Sequence, residues 1–335
     1  MNRAFLSHSS AQKDFVRKVF KLLGASRCIF DECCFDGGKK IIDEILRGLQ
    51  KTDLFVIFVS NESLDSEWVQ REIVLADNFM QKHGLKQVLP ILIDSKIKPG
   101  EDPRIPEWMK QYLMKPVRSA EMAKLKILNA LRHLDMDTNR IYKAKRNLFV
   151  GRYKEKEELE NILNLYVEPH YSAICVPGLE GIGRRTFLRK FFEEKHMLNT
   201  SNEPILCSLS NRSSIDNLIL SLLKYQKDNI SGDDLAELDS KSIGEKTIFL
   251  QSLFKSLANE NEYIFIIDDG CIVRPTMEVC DWFVKAIDIP ELQDCFYISV
   301  ISRFRPSHKF LSYHDNFISI SIDALSVPEV KNLFM

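Results

Sequence analysis

Several protein classes are excluded by what this sequence does not contain. No apolar run approaches membrane-span length, since the longest, Leu54 to Val59 and Tyr263 to Ile267, are strand-sized, whereas a spanning helix needs roughly 20 apolar residues. Met1-Asn2-Arg3 leads straight into an alternating segment, without the apolar core of a signal peptide. Neither sign of charge dominates: 46 Lys and Arg stand against 47 Asp and Glu, a net charge of −1. No global field therefore draws the chain to nucleic acid or to an anionic membrane. Eight cysteines are scattered, only Cys33 and Cys34 are adjacent, and none has the CxxC or Cys/His spacing of a zinc site. The expectation is reduced thiols, a cytoplasmic location and no metal ligand set. Internal repeats and low-complexity tracts are also absent.

What remains is an ordinary globular composition, 45% hydrophobic and 28% charged, over 335 residues. That length exceeds one typical domain and leaves room for two full cores. Residues 1–135 alternate short apolar strands with helical periods. Strands are expected at Ala4 to Leu6, Cys28 to Asp31, Leu54 to Val59 and Gln87 to Ile93, and helices at Ala11 to Leu23, Lys39 to Gln50, Ser66 to Met80 and Ala120 to Leu134. The first helix should turn Phe15, Val19, Leu22 and Leu23 inward. Strands alternating with helices imply a parallel sheet covered on both faces. Residues 136–148 are polar and lack an apolar period, and read as a linker. A second α/β pattern fills 149–322, with strands at Ser172 to Val176, Ile205 to Leu209, Tyr263 to Ile267, Phe296 to Ile301 and Phe317 to Ile322, the last two as a closing pair. Residues 323–335 begin an amphipathic helix, the expected start of a further helical region.

In this kind of sheet, ligands bind at the carboxyl ends of the strands. There the first domain carries Phe5-Leu6-Ser7-His8, the loop Asp31-Glu32-Cys33-Cys34-Phe35-Asp36-Gly37-Gly38, and Ser60 followed by Ser66-Glu67-Trp68-Val69-Gln70-Arg71-Glu72. Trp68 and Glu72 lie one helical turn apart on one face, beside the apolar stripe Val69, Ile73, Ala76 and Met80. Glu67 and Arg71 form an i,i+4 pair of the kind found on a solvated face. The three boxes resemble the Toll/interleukin-1 receptor (TIR) domain family over about 130 residues, with a flavodoxin-like parallel sheet. Val69 departs from the Cys common after the tryptophan in that family.

Enzymatic members of the family cleave NAD, and the resemblance implies Glu72 as the catalytic carboxylate, with Ser7, His8, Phe35 and Trp68 contacting the substrate. The chemistry suits one carboxylate. Breaking the nicotinamide–ribose bond builds positive charge on the ribose, and nicotinamide leaves neutral, so no general acid is needed. For each residue a plainer role stands beside this one: an idle helix-edge glutamate, a half-buried histidine, a phenylalanine that only packs its own loop.

Further along, Gly178-Leu179-Glu180-Gly181-Ile182-Gly183-Arg184-Arg185-Thr186 follows a strand and opens a helix, the setting of a phosphate-binding loop. Such loops continue with Lys and then Ser or Thr; here those places hold Arg184 and Arg185, and Thr186 comes one residue late. The strand through Ile267 ends in Asp268-Asp269, as in strands that serve a metal and its attacking water. Arg303 follows another strand, and Val150 and Gly151 lie where an adenine would approach. Together these resemble the STAND regulatory ATPases, the NACHT and NB-ARC modules. The resemblance implies ATP or ADP as ligand, while the altered loop leaves Mg²⁺ and hydrolysis in doubt.

The reading is a TIR–STAND immune or anti-phage effector. Its domains self-associate, a C-terminal region beyond this chain senses a trigger, and clustered TIR domains cleave NAD to ADP-ribose or a cyclic derivative. Two alternatives stand: a non-enzymatic TIR adaptor with the STAND module as its oligomerisation switch, and a P-loop ATPase with an appended binding domain.

Overall fold

The structure is a computed structural model that describes residues 2–30, 41–81, 84–164, 171–199, 202–292 and 297–333. It divides into two compact units, Met1–Arg146 with Lys224–Asn229, and Asn147–Leu223 with Ile230–Met335.

In the first unit four parallel strands, β1 (Ala4–Ser7), β2 (Cys28–Ile29), β3 (Leu54–Val59) and β4 (Gln87–Leu92), stand in the order β2-β1-β3-β4. All six residues of β3 are buried, as expected for a continuous apolar strand with helices on both faces. Beyond β4 the sheet gains a single parallel bridge, Leu92 to Pro116, with the Val117 amide donating to the Leu92 carbonyl at 2.7 Å.

Four helices cover the sheet: α1 (Lys13–Leu23), α2 (Ile41–Gln50), α3 (Glu67–Gln81) and α4 (Ala120–Thr138). A 3₁₀ turn, Ser10–Gln12, occupies the start expected for α1. That helix buries Val16, Val19 and Leu23, while Leu22, expected inside, is exposed. Gly48 sits in mid-helix in α2, where a glycine ordinarily costs stability; a Cβ there would lie 2.6 Å from the Phe5 ring, so the helix can pack onto β1 only without one. The α3 stripe Val69, Ile73 and Ala76 is buried, with Met80 partly so.

Two boundaries differ from the sequence reading. Helix α4 runs past residue 135 because Met136 is buried and Asp135 Oδ1 accepts from the Asn2 amide (3.1 Å) and side chain (2.8 Å). Residues 136–148, read from sequence as a polar linker, are largely helical. Asn139 leaves helical geometry (φ −125°, ψ 101°), and its Oδ1 accepts from the Ile141 and Tyr142 amides at 3.0 Å, starting α5 (Arg140–Asn147).

The second unit is built on β5 (Ala173–Cys175), β6 (Ile205–Ser210), β7 (Ile264–Asp269), β8 (Ile298–Ser302) and β9 (Phe317–Ser319), all parallel, in the order β6-β7-β8-β5-β9. The two closing strands are therefore not partners: β5 lies between them, its Ala173 paired with both Ile298 and Phe317. Its helices of seven or more described residues are α6 (Tyr153–Leu163), α7 (Arg184–Glu194), α8 (Ile215–Gln226), α9 (Gly232–Ser240), α10 (Ile243–Asn259), α11 (Asp281–Ile287) and, near the chain end, α12 (Val327–Leu333). The aromatic side chains of Phe187, Phe191, Phe192 and Phe265 fill a core between α7 and the sheet. Among the described residues no helix is long and apolar enough to cross a membrane.

Candidate functional site

The strand order of the first unit has its switch point between β1 and β3, whose carboxyl ends flank a crevice in folds of this topology. Ser7 closes β1, and Glu72 comes to it from α3 across 65 residues: the Ser7 hydroxyl donates to Glu72 Oε2 at 2.5 Å. The glutamate is 3% exposed. It is buried at the end of β1 and not exposed on a helix edge.

His8 is buried, its Nδ1 3.3 Å from the Leu6 carbonyl and its ring 5.0 Å from that of Phe30. Trp68 is half-buried against the core that holds Val69 and Ile73. Glu67 and Arg71 pair at 3.7 Å on the solvent side, as their spacing implies. Phe35, with the rest of its loop, lies outside the described residues.

Beside Ser7 lies a polar network that sequence reasoning missed. Gln12 accepts from the Ser9 amide at 3.1 Å and donates to Ser60 Oγ and, at 3.1 Å, to Glu62 Oε2. Ser60 in turn donates to Glu62 at 2.7 Å, and this hydroxyl holds the Glu62 carboxyl below the usual range. One amide side chain thus ties the loop after β1 to the end of β3. Farther out, Arg104 donates to Asp102 (2.6 Å), Asp65 (2.7 Å) and Asn61 (2.8 Å), and Asn61 donates to Asp94 (2.6 Å). The arginine holds the Asp102 carboxyl below the usual range. Only Ser60-x-x-Ser63 left a local trace of this, as a helix-capping pattern; the other pairs are too distant in sequence to show any period.

In the second unit a cleft of about 1050 Å³ brings together Gly181, Gly183, Arg184, Arg185, Thr186, Asp268, Asp269 and Arg303, all singled out from sequence. Gly181 and Gly183 have φ of +81° and +97°, values that side-chain-bearing residues rarely take. Gly178 (φ +153°) fits closely under the Ile322 carbonyl, 3.3 Å from where a Cβ would stand. Because Gly183 ends the loop, α7 starts at Arg184.

Arg184 is 9% exposed and donates to the Ser302 carbonyl; burial lowers its pKa. Arg185 pairs with Glu203 at 2.8 Å, and Thr186 is exposed on the cleft wall. Asp268, 1% exposed, accepts from the amides of Cys271 (2.8 Å), Ile272 (2.7 Å) and Val273 (3.0 Å) and from Ser302 Oγ (2.8 Å). Asp269 meets Arg303 at 3.4 Å near the surface.

Val150 and Gly151 are not on this wall. Glu329 of α12 accepts from the Arg152 amide at 3.1 Å, and its carboxylate fills the space over Gly151. The Arg152 guanidinium bonds Glu155 (2.8 Å) and the carbonyls of Ile182 (2.9 Å) and Asp323, tying the glycine-rich loop to the segment after β9.

Residues 4–126 match the TIR domain family. Among solved structures, the TIR domain of the Toll-related receptor TRR-2 from Hydra magnipapillata aligns at 12% identity over 40% of this chain and 98% of that one, with a TM-score of 0.31. The TIR domains of the activated Roq1 resistosome, which recognises the pathogen effector XopQ, align at 22% identity over 31% of this chain and 66% of that one, with a TM-score of 0.28. No curated protein sequence matches this one.

Proposed function

Starting from the TIR domain at residues 4–126, we propose that this chain cleaves NAD at its nicotinamide–ribose bond, with Glu72 as the catalytic carboxylate. The observation that carries this reading is the Ser7–Glu72 contact, a buried carboxylate aimed at the carboxyl end of β1. Departure of neutral nicotinamide leaves the ribose carbon cationic, and water then adds there, giving ADP-ribose and a proton. A carboxylate in a site shielded from water stabilises that charge far more than it would in solvent. Ser7 fixes the orientation of Glu72, and His8 and Trp68 stand close enough in the chain to line the same site, with Phe35 as the loop contribution.

At 3% exposure, Glu72 reaches a ribose only when its surroundings open. This agrees with activity switched on by clustering, and the second unit supplies the switch. There β5 runs into the glycine-rich loop from between β8 and β9, while β7 and β8 deliver Asp268 and Arg303 to the same cleft. We read that unit as a STAND-type nucleotide-binding module that brings TIR domains together in the cytoplasm.

The closure of Glu72 also favours a second reading, a TIR adaptor in which Ser7–Glu72 merely staples α3 to β1. Chromatography of NAD products decides. The full chain, clustered artificially, is expected to release nicotinamide, and Glu72→Ala is not. Release by neither protein removes the enzymatic assignment and leaves the adaptor; equal release by both removes Glu72 as the catalytic carboxylate.

A further inference from the structure

The sequence of the second unit departs from a metal-dependent phosphate loop at one point, and the structure adds another. A loop of that kind sets a hydroxyl at the second residue of its helix on Mg²⁺, and a strand-end carboxylate on the ion's water shell. Here the second residue of α7 is Arg185, engaged with Glu203. Each oxygen of Asp268 already accepts two hydrogen bonds, Oδ1 from Cys271 and Ile272, Oδ2 from Val273 and Ser302. A carboxylate oxygen accepts about two bonds in all, so holding a metal's water would break the turn. Asp269, the other strand-end acid, faces Arg303. Mg²⁺ does not fit these residues.

The same wall carries cations in its place. Arg184 is about nine-tenths buried, and its NH1 bonds a backbone carbonyl. Among the described residues no carboxylate pairs with it within ion-pair distance. Burial disfavours its charge more than the nearby Glu180 and Asp269 favour it, a deficit that an incoming anion relieves. It opens an 11-residue helix, whose first amides have no partner inside the helix. Gly181 and Gly183 bring the backbone of the loop to the same wall.

From this, and resting on the reading of the second unit as nucleotide-binding, we infer that the cleft holds the polyphosphate of a nucleoside di- or triphosphate without a divalent metal, Arg184 serving as its fixed counter-charge. A site so built retains its nucleotide and does not hydrolyse it. Arg185 offers no hydroxyl to a metal that would neutralise the leaving group, and Asp268 is unavailable to position water.

The test is titration calorimetry of the full chain with ADP, ATP and inorganic pyrophosphate, in EDTA and then in Mg²⁺. ADP and ATP are expected to bind in EDTA, with Mg²⁺ changing affinity less than about threefold. Loss of one charge-assisted contact, in Arg184→Gln, is expected to weaken binding about tenfold or more. Pyrophosphate binding as tightly as ADP would show that the anion alone is recognised; weaker pyrophosphate binding would show that the nucleoside adds to the same metal-free site. Binding that requires Mg²⁺ overturns the inference and leaves the nucleotide reading standing. No binding in either buffer overturns both. Undiminished binding by a folded Arg184→Gln protein removes the arginine as anchor. Should that variant not fold, the comparison of EDTA with Mg²⁺ on the unaltered chain decides alone.

Discussion

Each of the two sheets buries an acid at the carboxyl ends of its strands, Glu72 in the first unit and Asp268 in the second, and the two are held quite differently. Glu72 is carried by a helix and meets a hydroxyl from a neighbouring strand. Asp268 is carried by the strand itself and is wrapped by the three amides of the turn that follows, plus Ser302. Equal burial therefore does not mean equal purpose. A carboxylate delivered from another element can be turned toward a ligand with little damage to the fold, whereas one knotted into its own backbone is committed to shape. An acid at a strand end has to be judged by what occupies its lone pairs, and a motif gives no account of that.

The comparison breaks most clearly if Glu72 proves architectural. Glu72→Gln keeps the volume and the contact with Ser7 but removes the charge. It is expected to lower NAD cleavage by the clustered protein by about 10²- to 10³-fold while the thermal midpoint stays near that of the unaltered chain; a large loss of midpoint with activity intact would reverse the contrast. Asp268→Asn should do the opposite. Replacing one acceptor oxygen by an NH₂ strands buried donors and is expected to cost about 3 kcal/mol by chemical denaturation, with NAD cleavage by clustered protein unchanged. Ser7→Ala sharpens the first half of the pair. Removing the hydroxyl that orients Glu72 is expected to slow cleavage about tenfold, for a loss on the order of 1 kcal/mol in stability.

The smallest effect belongs to the outer network. The arginine of that network holds Asp102 below its usual range, so its folded pKa lies under the unfolded one. The stabilisation is thus fully present above about pH 4 and is lost as pH falls through the depressed folded value. Arg104→Ala should lower the melting midpoint at neutral pH, and the difference should close on acidification below the ordinary carboxylate range, as Asp102 takes up its proton. A difference independent of pH would show that the arginine acts by packing alone.

Much of the fold was legible because it is written in local patterns. The six-residue apolar run of β3 and the 3.6-residue stripe of α3 appear where their periods put them. The glycine-rich loop was legible through its spacing, and Gly181, Gly183, Arg184, Arg185 and Thr186 line one cleft, whereas Gly178, Val150 and Gly151 do not. Other features were hidden for physical reasons. Leu22 is apolar by composition but rotates out of the α1 face, which Val16 fills. The linker gave no helical signal because its polar residues carry no apolar period, yet Asn139 restarts a helix through its own side chain. The Gln12–Ser60–Glu62 network joins residues about fifty positions apart, and polar contacts at that distance leave no trace in any window of sequence. The saturation of Asp268 was likewise invisible, because its donors are backbone amides, which every sequence possesses.

Those amides have a consequence in time. The N–H groups of Cys271, Ile272 and Val273 all end on a carboxylate that is 1% exposed, so each can trade its hydrogen for deuterium only when the turn as a whole lets go. Three successive residues should therefore share one protection factor, and that common value would give the free energy of the local opening of the strand end with no ligand, dye or catalytic readout required.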